Sequence, residues 1–344
     1  MGIIAQRPTP NAQRPTPNAD SCPKSDDVIH IVLAVYDPSG TYSQHAGVTM
    51  TSIFENTHSK VTVHILHDDT LTDDNRQKFI RTAEKYSQGI ELHDVTEYRE
   101  KVSKETVSSV TRTLGTLYRL FIPDAIAADR VIYLDCDILV NMDIKELWDI
   151  DTEGNILTGV PGFLHGMADV LRKKLCEIDH RSYINAGVLI MEVGKIRSCG
   201  NLFRMSEEWF SKHSQLATLA DQDALNSIFR GHIKIISRKY NNSRIDEDLS
   251  DSIVHTWPHK SWRGLAGFRS DALYWKFFLR SAWGENITGD ELIDILNNTA
   301  FRNRPQKSAV RRAVSFAKKK ILFWQPVRIM RFLFREAKYR LTRR

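Results

Sequence analysis

The sequence predicts an α/β fold with a mostly parallel central sheet, and three observations carry that expectation. Short apolar runs rich in β-branched residues recur along the chain, and stretches of helical character separate them. One such run stops on two carboxylates, Asp135 and Asp137. Alternation of this kind is the pattern of strands and helices layered into a single α/β domain. At 344 residues the chain has ample length for one large core or two smaller ones.

The elements follow in order. Residues 28–35, Val28-Ile29-His30-Ile31-Val32-Leu33-Ala34-Val35, read as a buried strand. A helix is expected around 46–56, then a strand at 61–66. Thr72 is placed to cap a helix reaching Tyr86, with Asp73 and Asp74 in its first turn, where the helix dipole favours acids. Residues 91–95 form the next expected strand, 113–121 a helix stopped by Pro123, and 131–134 a further buried strand. Beyond Asp151 come strands at 156–160 and 188–192, helices at 203–212 and 221–229, and a late strand at 233–236.

Composition divides the chain into three. Residues 1–27 hold a heptapeptide, Ala5 to Asn11, repeated at once as Ala12 to Asn18; with little to bury, this segment is expected to be disordered. It lacks the apolar core of a signal peptide. Residues 28–300 show no linker and are expected to form one catalytic domain. The net charge of +6 sits in the remainder: from Lys307 to Arg344 there are 13 Lys or Arg against Glu336 alone, leaving 35 basic and 41 acidic residues elsewhere. An acidic body is not that of a nucleic-acid binder. In the tail, apolar Val310, Ala313, Val314, Ala317, Ile321 and Trp324 fall at helical spacing before Pro326, and Met330, Leu333, Phe334, Ala337 and Leu341 after it. Two basic amphipathic helices of this kind suit an anionic membrane surface. The four cysteines are scattered, with no CxxC pair, as expected of reduced thiols in a cytosolic protein. The expectation is a cytoplasmic protein, peripheral on the inner face of the cell membrane.

In Val131-Ile132-Tyr133-Leu134-Asp135-Cys136-Asp137 the acids appear at a strand's carboxyl end, where ligands gather in open parallel sheets. On an extended backbone Asp135 and Asp137 would project to the same side. Side by side they repel, and a hard divalent cation that also bridges phosphate oxygens relieves the repulsion. Apolar sequence on both flanks argues against ordinary surface acids. A metal-dependent nucleotidyltransferase or phosphohydrolase would use the same pair.

The chain resembles glycosyltransferase family eight, retaining enzymes that include bacterial lipopolysaccharide galactosyl- and glucosyltransferases. The likeness runs in order over residues 28–262: Ile31-Val32-Leu33-Ala34 with Asp37, Tyr118-Arg119-Leu120, Tyr133 to Asp137, and Leu147-Trp148-Asp149. It continues through Tyr183-Ile184-Asn185-Ala186-Gly187-Val188, Asp221-Gln222-Asp223-Ala224-Leu225-Asn226, and His255 followed by Lys260-Ser261-Trp262. The resemblance implies a GT-A fold, a Mn²⁺ site with Mg²⁺ as the alternative, and a UDP-hexose donor. It implies Asp135, Asp137 and His255 as metal ligands. Ala34, Tyr36 and Asp37 would line the nucleoside, while Arg119, Asp135, Cys136 and Lys260 would face the diphosphate side. Asn185, Asp221 and Gln222 would stand at the sugar, with Gln222 an electrostatic stabiliser and not a nucleophile. The acceptor would be a saccharide or a lipid-linked glycan. The chain departs from the family at three places. Tyr36 replaces the first of two acids, Pro161-Gly162-Phe163 stands where an acid near the sugar is usual, and Lys260 follows His255 one residue early.

Overall fold

The computed structural model describes residues 28–103, 106, 114–164, 166–245, 247–263 and 268–293. The repeated N-terminal segment, the basic tail and Thr113 lie outside the described residues.

Among the described residues a seven-stranded sheet forms the centre. Its strands are β1 (Ile29–Val35), β2 (Val61–His67), β3 (Gly89–Asp94), β4 (Val131–Leu134), β6 (Leu157–Pro161), β7 (Ile184–Met191) and β8 (Ile233–Ile235). They lie side by side in the order β3-β2-β1-β4-β7-β6-β8. Strands β3, β2, β1 and β4 are mutually parallel, and β6 is parallel to β8. Strand β7 runs against both its neighbours, β4 and β6. The mostly parallel α/β sheet is thus as the sequence predicted, with one reversed strand at its heart.

Period-two alternation along each strand divides the core in two. Ile29, Ile31, Leu33 and Val35 of β1 face α1 (Ser43–Asn56) and α2 (Asp73–Lys85), whereas Val32 and Ala34 face the helices Leu202–His213 and Ala220–Ile228. Helix α2 starts as expected: Thr72 Oγ1 accepts from Asn75 N at 3.3 Å, with Asp73 and Asp74 in the first turn. A cap of this kind contributes about 1 kcal/mol.

Several expectations change. Residues Leu114–Phe121 form a 3₁₀ helix, not an α-helix. Pro123 does not end it; the proline sits in the first turn of a short helix, Ile122–Ala125, where its missing N–H costs nothing. Strand β7 begins at Ile184, four residues before the expected 188, so Asn185-Ala186-Gly187 lies inside the sheet. Two strands were not anticipated. β5 (Ile138–Asn141) and β9 (Ser252–His255) pair antiparallel as a separate ribbon.

That ribbon explains why α1 buries the polar Thr49 and Ser52. Thr49 Oγ1 donates to Ile138 O at 2.8 Å, Val140 N donates to Ser52 Oγ at 2.9 Å, and Asn56 Nδ2 donates to Val140 O at 2.9 Å. Side chains of α1 therefore satisfy the edge of β5 that β9 leaves open, as buried backbone groups require. The helix Arg269–Phe278 seals the outside through Tyr274, Phe277 and Phe278 against Leu139 and Val254. Among the described residues no helix is long and apolar enough to cross a membrane.

Candidate metal and ligand site

Strand register builds the site. β4 ends at Leu134, paired with Val188 of β7, which sets Asp135 beside Gly187; Asp135 N donates to Gly187 O at 2.8 Å. The reversed direction of β7 matters here, because it brings the strand's first residues, Asn185 to Gly187, to the end of β4. In the ribbon, Ile138 pairs with His255, so His255 arrives next to Asp137. Thr256 fixes the junction, its N and Oγ1 each donating to Asp137 O at 3.1 Å.

Asp135 and Asp137 do converge, but the expected extended geometry is corrected. Residues 135–137 form a turn, with Ile138 N donating to Asp135 O at 3.2 Å. Ligand atoms of Asp135, Asp137 and His255 all lie within 4.8 Å of one another. Gly187 floors this cluster: a Cβ there would stand 2.9 Å from His255 Cε1 and 3.0 Å from Asp135 Oδ2. The cradle admits no side chain. Two carboxylates and an imidazole with this spacing fit a hard divalent ion that accepts nitrogen. Replacing Gly187 by alanine is expected to weaken Mn²⁺ binding about 10- to 100-fold, the range seen when a ligand's support is disturbed. Titration of the variant with Mn²⁺ checks this, and unchanged affinity would refute the cradle.

Hydrogen bonds settle which nitrogen of His255 faces the acids. Asn241 Nδ2 donates to Asn185 Oδ1 at 2.8 Å, so Asn241 Oδ1 is the acceptor for His255 Nδ1–H at 2.9 Å. Nε2 then presents its lone pair 3.4 Å from Asp137 Oδ2. Two such acceptors facing one another call for a cation between them. The ammonium of Lys260 contacts the same oxygen and places a positive charge beside it. Lys260 reaches that position from a left-handed backbone, φ 61°, a conformation that costs a non-glycine residue about 1–2 kcal/mol. Its neighbour Trp262 stacks on His45 at 3.8 Å, anchoring the loop.

Arg119 is not a helix-surface cation. It is 3% exposed, with Nη2 donating to Asp135 Oδ1 at 2.8 Å, Nε 3.0 Å from Asp221 Oδ2, and Nη1 donating to Ala186 O. Its guanidinium lies over the Tyr133 ring at 4.4 Å, and the Tyr133 hydroxyl donates to Asp135 Oδ1 at 2.9 Å. Asp135 Oδ1 is thereby held by Arg119 and Tyr133, and Oδ2 borders Gly187. Burial opposes the guanidinium charge, yet Asp135 and Asp221 more than compensate and keep Arg119 protonated. Burial pushes the Asp221 carboxyl up to about 6, against the pull of Arg119.

The proposed sugar-side residues form one network. Gln222 Oε1 accepts from Ala186 N at 3.0 Å and from Asn185 Nδ2 at 3.3 Å, while its Nε2 donates to the Tyr183 hydroxyl at 2.6 Å. An amide oxygen already engaged by two donors is a still poorer nucleophile. Asn185 Oδ1 accepts from Gly187 N and Asn241 Nδ2, so one amide hydrogen of Asn185 is left for a ligand.

On the nucleoside side, Ala34 O accepts from Cys136 Sγ at 3.2 Å, which ties β1 to the acidic turn, and Tyr36 packs edge-on against Tyr118. Burial pushes the Cys136 thiol up, beyond the range in which it would ionise. Asp37 is buried at the start of the loop after β1. Its Oδ1 accepts from Tyr42 N at 2.7 Å, and its Oδ2 accepts from Ser43 N at 2.9 Å and Ser43 Oγ at 2.7 Å. Both oxygens are spent on the N-terminus of α1, whose own N-cap residue supplies no side-chain bond. Asp37 therefore shapes the loop bearing Tyr36.

Asn241, Tyr133 and Tyr183 were not singled out by sequence. Tyr133 and Tyr183 open two of the quoted motifs without a role of their own, but Asn241 carries no local signal; only folding brings it to His255.

A model of glycosyl transferase family 8 matches residues 33–252. The chain is similar to a protein of Haemophilus influenzae described as a putative glycosyltransferase, 28% identical over 62% of this chain and 64% of that protein. It is also similar to a lipopolysaccharide 1,2-glucosyltransferase of Escherichia coli, 26% identical over 83% of each chain. The fold is that of the galactosyltransferase LgtC, solved with donor and acceptor sugar analogues, at a TM-score of 0.63 and 21% identity, covering 78% of this chain and all of that one.

Proposed function

The chain belongs to glycosyl transferase family 8, and we propose that it moves a hexose from a UDP-sugar to a saccharide or lipid-linked acceptor with retention at the anomeric carbon. One observation carries the reading: Asp135, Asp137 and His255 converge over Gly187, with Lys260 against Asp137 and the Asn185–Gln222 network alongside. The lipopolysaccharide glucosyltransferase of similar length supports a cell-surface glycan as acceptor.

Asp135, Asp137 and His255 would hold Mn²⁺, or Mg²⁺ in its place, and the ion would supply charge neutralisation for a departing diphosphate. The protein's own residues do the rest. Lys260 adds positive charge where the leaving group's charge develops. Arg119 and Tyr133 keep Asp135 in place. Asn185 and Asp221 orient the sugar hydroxyls, and the Gln222 amide lends its dipole to an oxocarbenium-like carbon. The bond from the anomeric carbon to the diphosphate oxygen breaks with its electron pair passing to UDP. An acceptor hydroxyl bonds to that carbon from the same face and gives its proton to the released phosphate oxygen.

The test is a panel of UDP-hexoses with Mn²⁺ or Mg²⁺, scoring UDP release. Release from UDP-glucose or UDP-galactose, dependent on the ion, is expected. Turnover of a nucleoside triphosphate with no UDP-sugar released would favour the nucleotidyltransferase or phosphohydrolase reading instead. The basic composition of residues 307–344 supports a peripheral position on the inner face of the cell membrane. Deleting that segment should release the protein from anionic liposomes without slowing UDP release; a truncated protein that still sediments with them would rule the tail out as the anchor.

A further inference from the structure

Away from the acidic turn, across β1, β2 and the edge strand β3, lies a second cluster that the transfer reaction does not use. His30 is the second residue of β1, about 23 Å of extended chain before Asp37. His64 lies in the middle of β2, and Glu91 and His93 lie on β3, the edge strand of the sheet. His64 Nδ1 is 3.0 Å from His93 Nε2 and 3.3 Å from Glu91 Oε2, and His93 Nε2 is 3.5 Å from the same Glu91 oxygen. A tetrahedral ion bound at about 2.0–2.1 Å separates its ligands by roughly 3.3–3.4 Å. The three distances, 3.0 to 3.5 Å, bracket that spacing.

We propose that His64, Glu91 and His93 form a second metal site, for a borderline dication of the Zn²⁺ class, that clips edge strand β3 to β2. The donor set distinguishes it from the catalytic cluster. Two imidazoles and one carboxylate favour Zn²⁺, whereas two carboxylates and one imidazole favour Mn²⁺ or Mg²⁺. The site also has the outer support a ligating histidine needs. His64 Nε2 lies 2.9 Å from His30 Nδ1, so a proton on Nε2 is taken up by His30 and the Nδ1 lone pair points at His93 and Glu91. The cluster is buried at His64 and open at Glu91, whose side chain is 55% exposed, leaving an entry path and a fourth position for water. A metal here needs His93 to carry its proton on Nδ1, a tautomer change that involves no backbone movement.

Because it binds the folded edge strand, the ion should raise the melting temperature progressively, with the logarithm of its concentration once that exceeds Kd. The test counts Zn²⁺ bound to the chelator-stripped full chain by equilibrium dialysis and elemental analysis, in wild type and in the surface variants Glu91→Gln and His93→Gln. Both variants should bind one Zn²⁺ fewer than wild type, or bind it more than about 100-fold more weakly, since even outer partners contribute 10–100-fold. They should also lose the Zn²⁺-dependent rise in melting temperature, while retaining Mn²⁺-dependent UDP release. Equal Zn²⁺ stoichiometry and affinity in wild type and both variants would overturn the proposal and leave the cluster a hydrogen-bonded histidine ladder.

Discussion

Asp137→Ala is expected to lower Mn²⁺-dependent UDP release from the sugar donor by at least about 10³-fold while leaving the circular dichroism spectrum of the protein intact. Neutralising the leaving diphosphate contributes several kcal/mol, and each 1.4 kcal/mol is tenfold in rate. Asp137 is the ligand with most to lose, because its carboxylate faces His255 Nε2 and Lys260 at once. Without it, the Lys260 ammonium loses its counter-charge and His255 Nε2 loses the carboxylate it faces. The fold should survive, because the turn is held by main-chain contacts that the substitution spares: Asp137 O still accepts from Thr256, and Asp135 N still donates to Gly187. Lys260 is partly exposed and has water as an alternative partner. Asp137→Asn separates charge from shape and should be impaired comparably. Undiminished release in either variant would sink the metal assignment.

What could be read ahead of the structure depended on how local the determining interaction is. The buried parallel strands were legible because a run such as Val131–Leu134 carries its own burial signal in four consecutive apolar residues. The ribbon of β5 and β9 was not. Ser252-Ile253-Val254-His255 is too short and mixed to declare a strand, and its pairing partner lies more than 100 residues away. That pairing nonetheless delivers His255 to Asp137, so the proposed metal ligand was named before the element that carries it. Asp37 shows the reverse case. Its position after β1 suggests a ligand contact, and the fold adds a task the sequence did not declare: α1 opens on Tyr42-Ser43 with no capping side chain of its own, and Asp37 supplies the acceptors. The extended reading of Asp135-Cys136-Asp137 failed because β4 stops at Leu134, and the turn that follows lets Cys136 bury its sulfur against Ala34.

Lys173→Met should have the largest effect on stability, although the residue touches none of the metal ligands. Lys173 and Asp223 form an ion pair in which each side chain is 2% exposed. Asp223 also accepts from Thr218 N at 3.0 Å and Leu219 N at 3.2 Å, which secures the start of the helix Ala220–Ile228 bearing Asp221 and Gln222. Removing the cation alone strands a buried carboxylate, a loss of about 3–5 kcal/mol, which at 2–4 °C per kcal/mol lowers the melting temperature by about 10 °C. Lys173→Met with Asp223→Asn removes both charges and should recover much of that stability, because an apolar or neutral replacement of a buried pair is often close to neutral. Activity should not recover with it. The Tyr183 hydroxyl sits between the pair and the site: it donates to Asp223 at 2.7 Å, lies 3.1 Å from Lys173 Nζ, and accepts from Gln222 Nε2. Burial, and then the Asp223 carboxylate, hold that phenol far above its ordinary range, so it stays a donor to Asp223 and an acceptor for Gln222. In the double variant the amide that replaces the Asp223 carboxylate can turn its nitrogen toward Tyr183, and the orientation of Gln222 is no longer enforced. The expected signature is a reduced kcat with KM for the donor little changed, which a purely structural pair would not produce. Full kcat in a double variant of restored melting temperature would confine Lys173 and Asp223 to holding the helix.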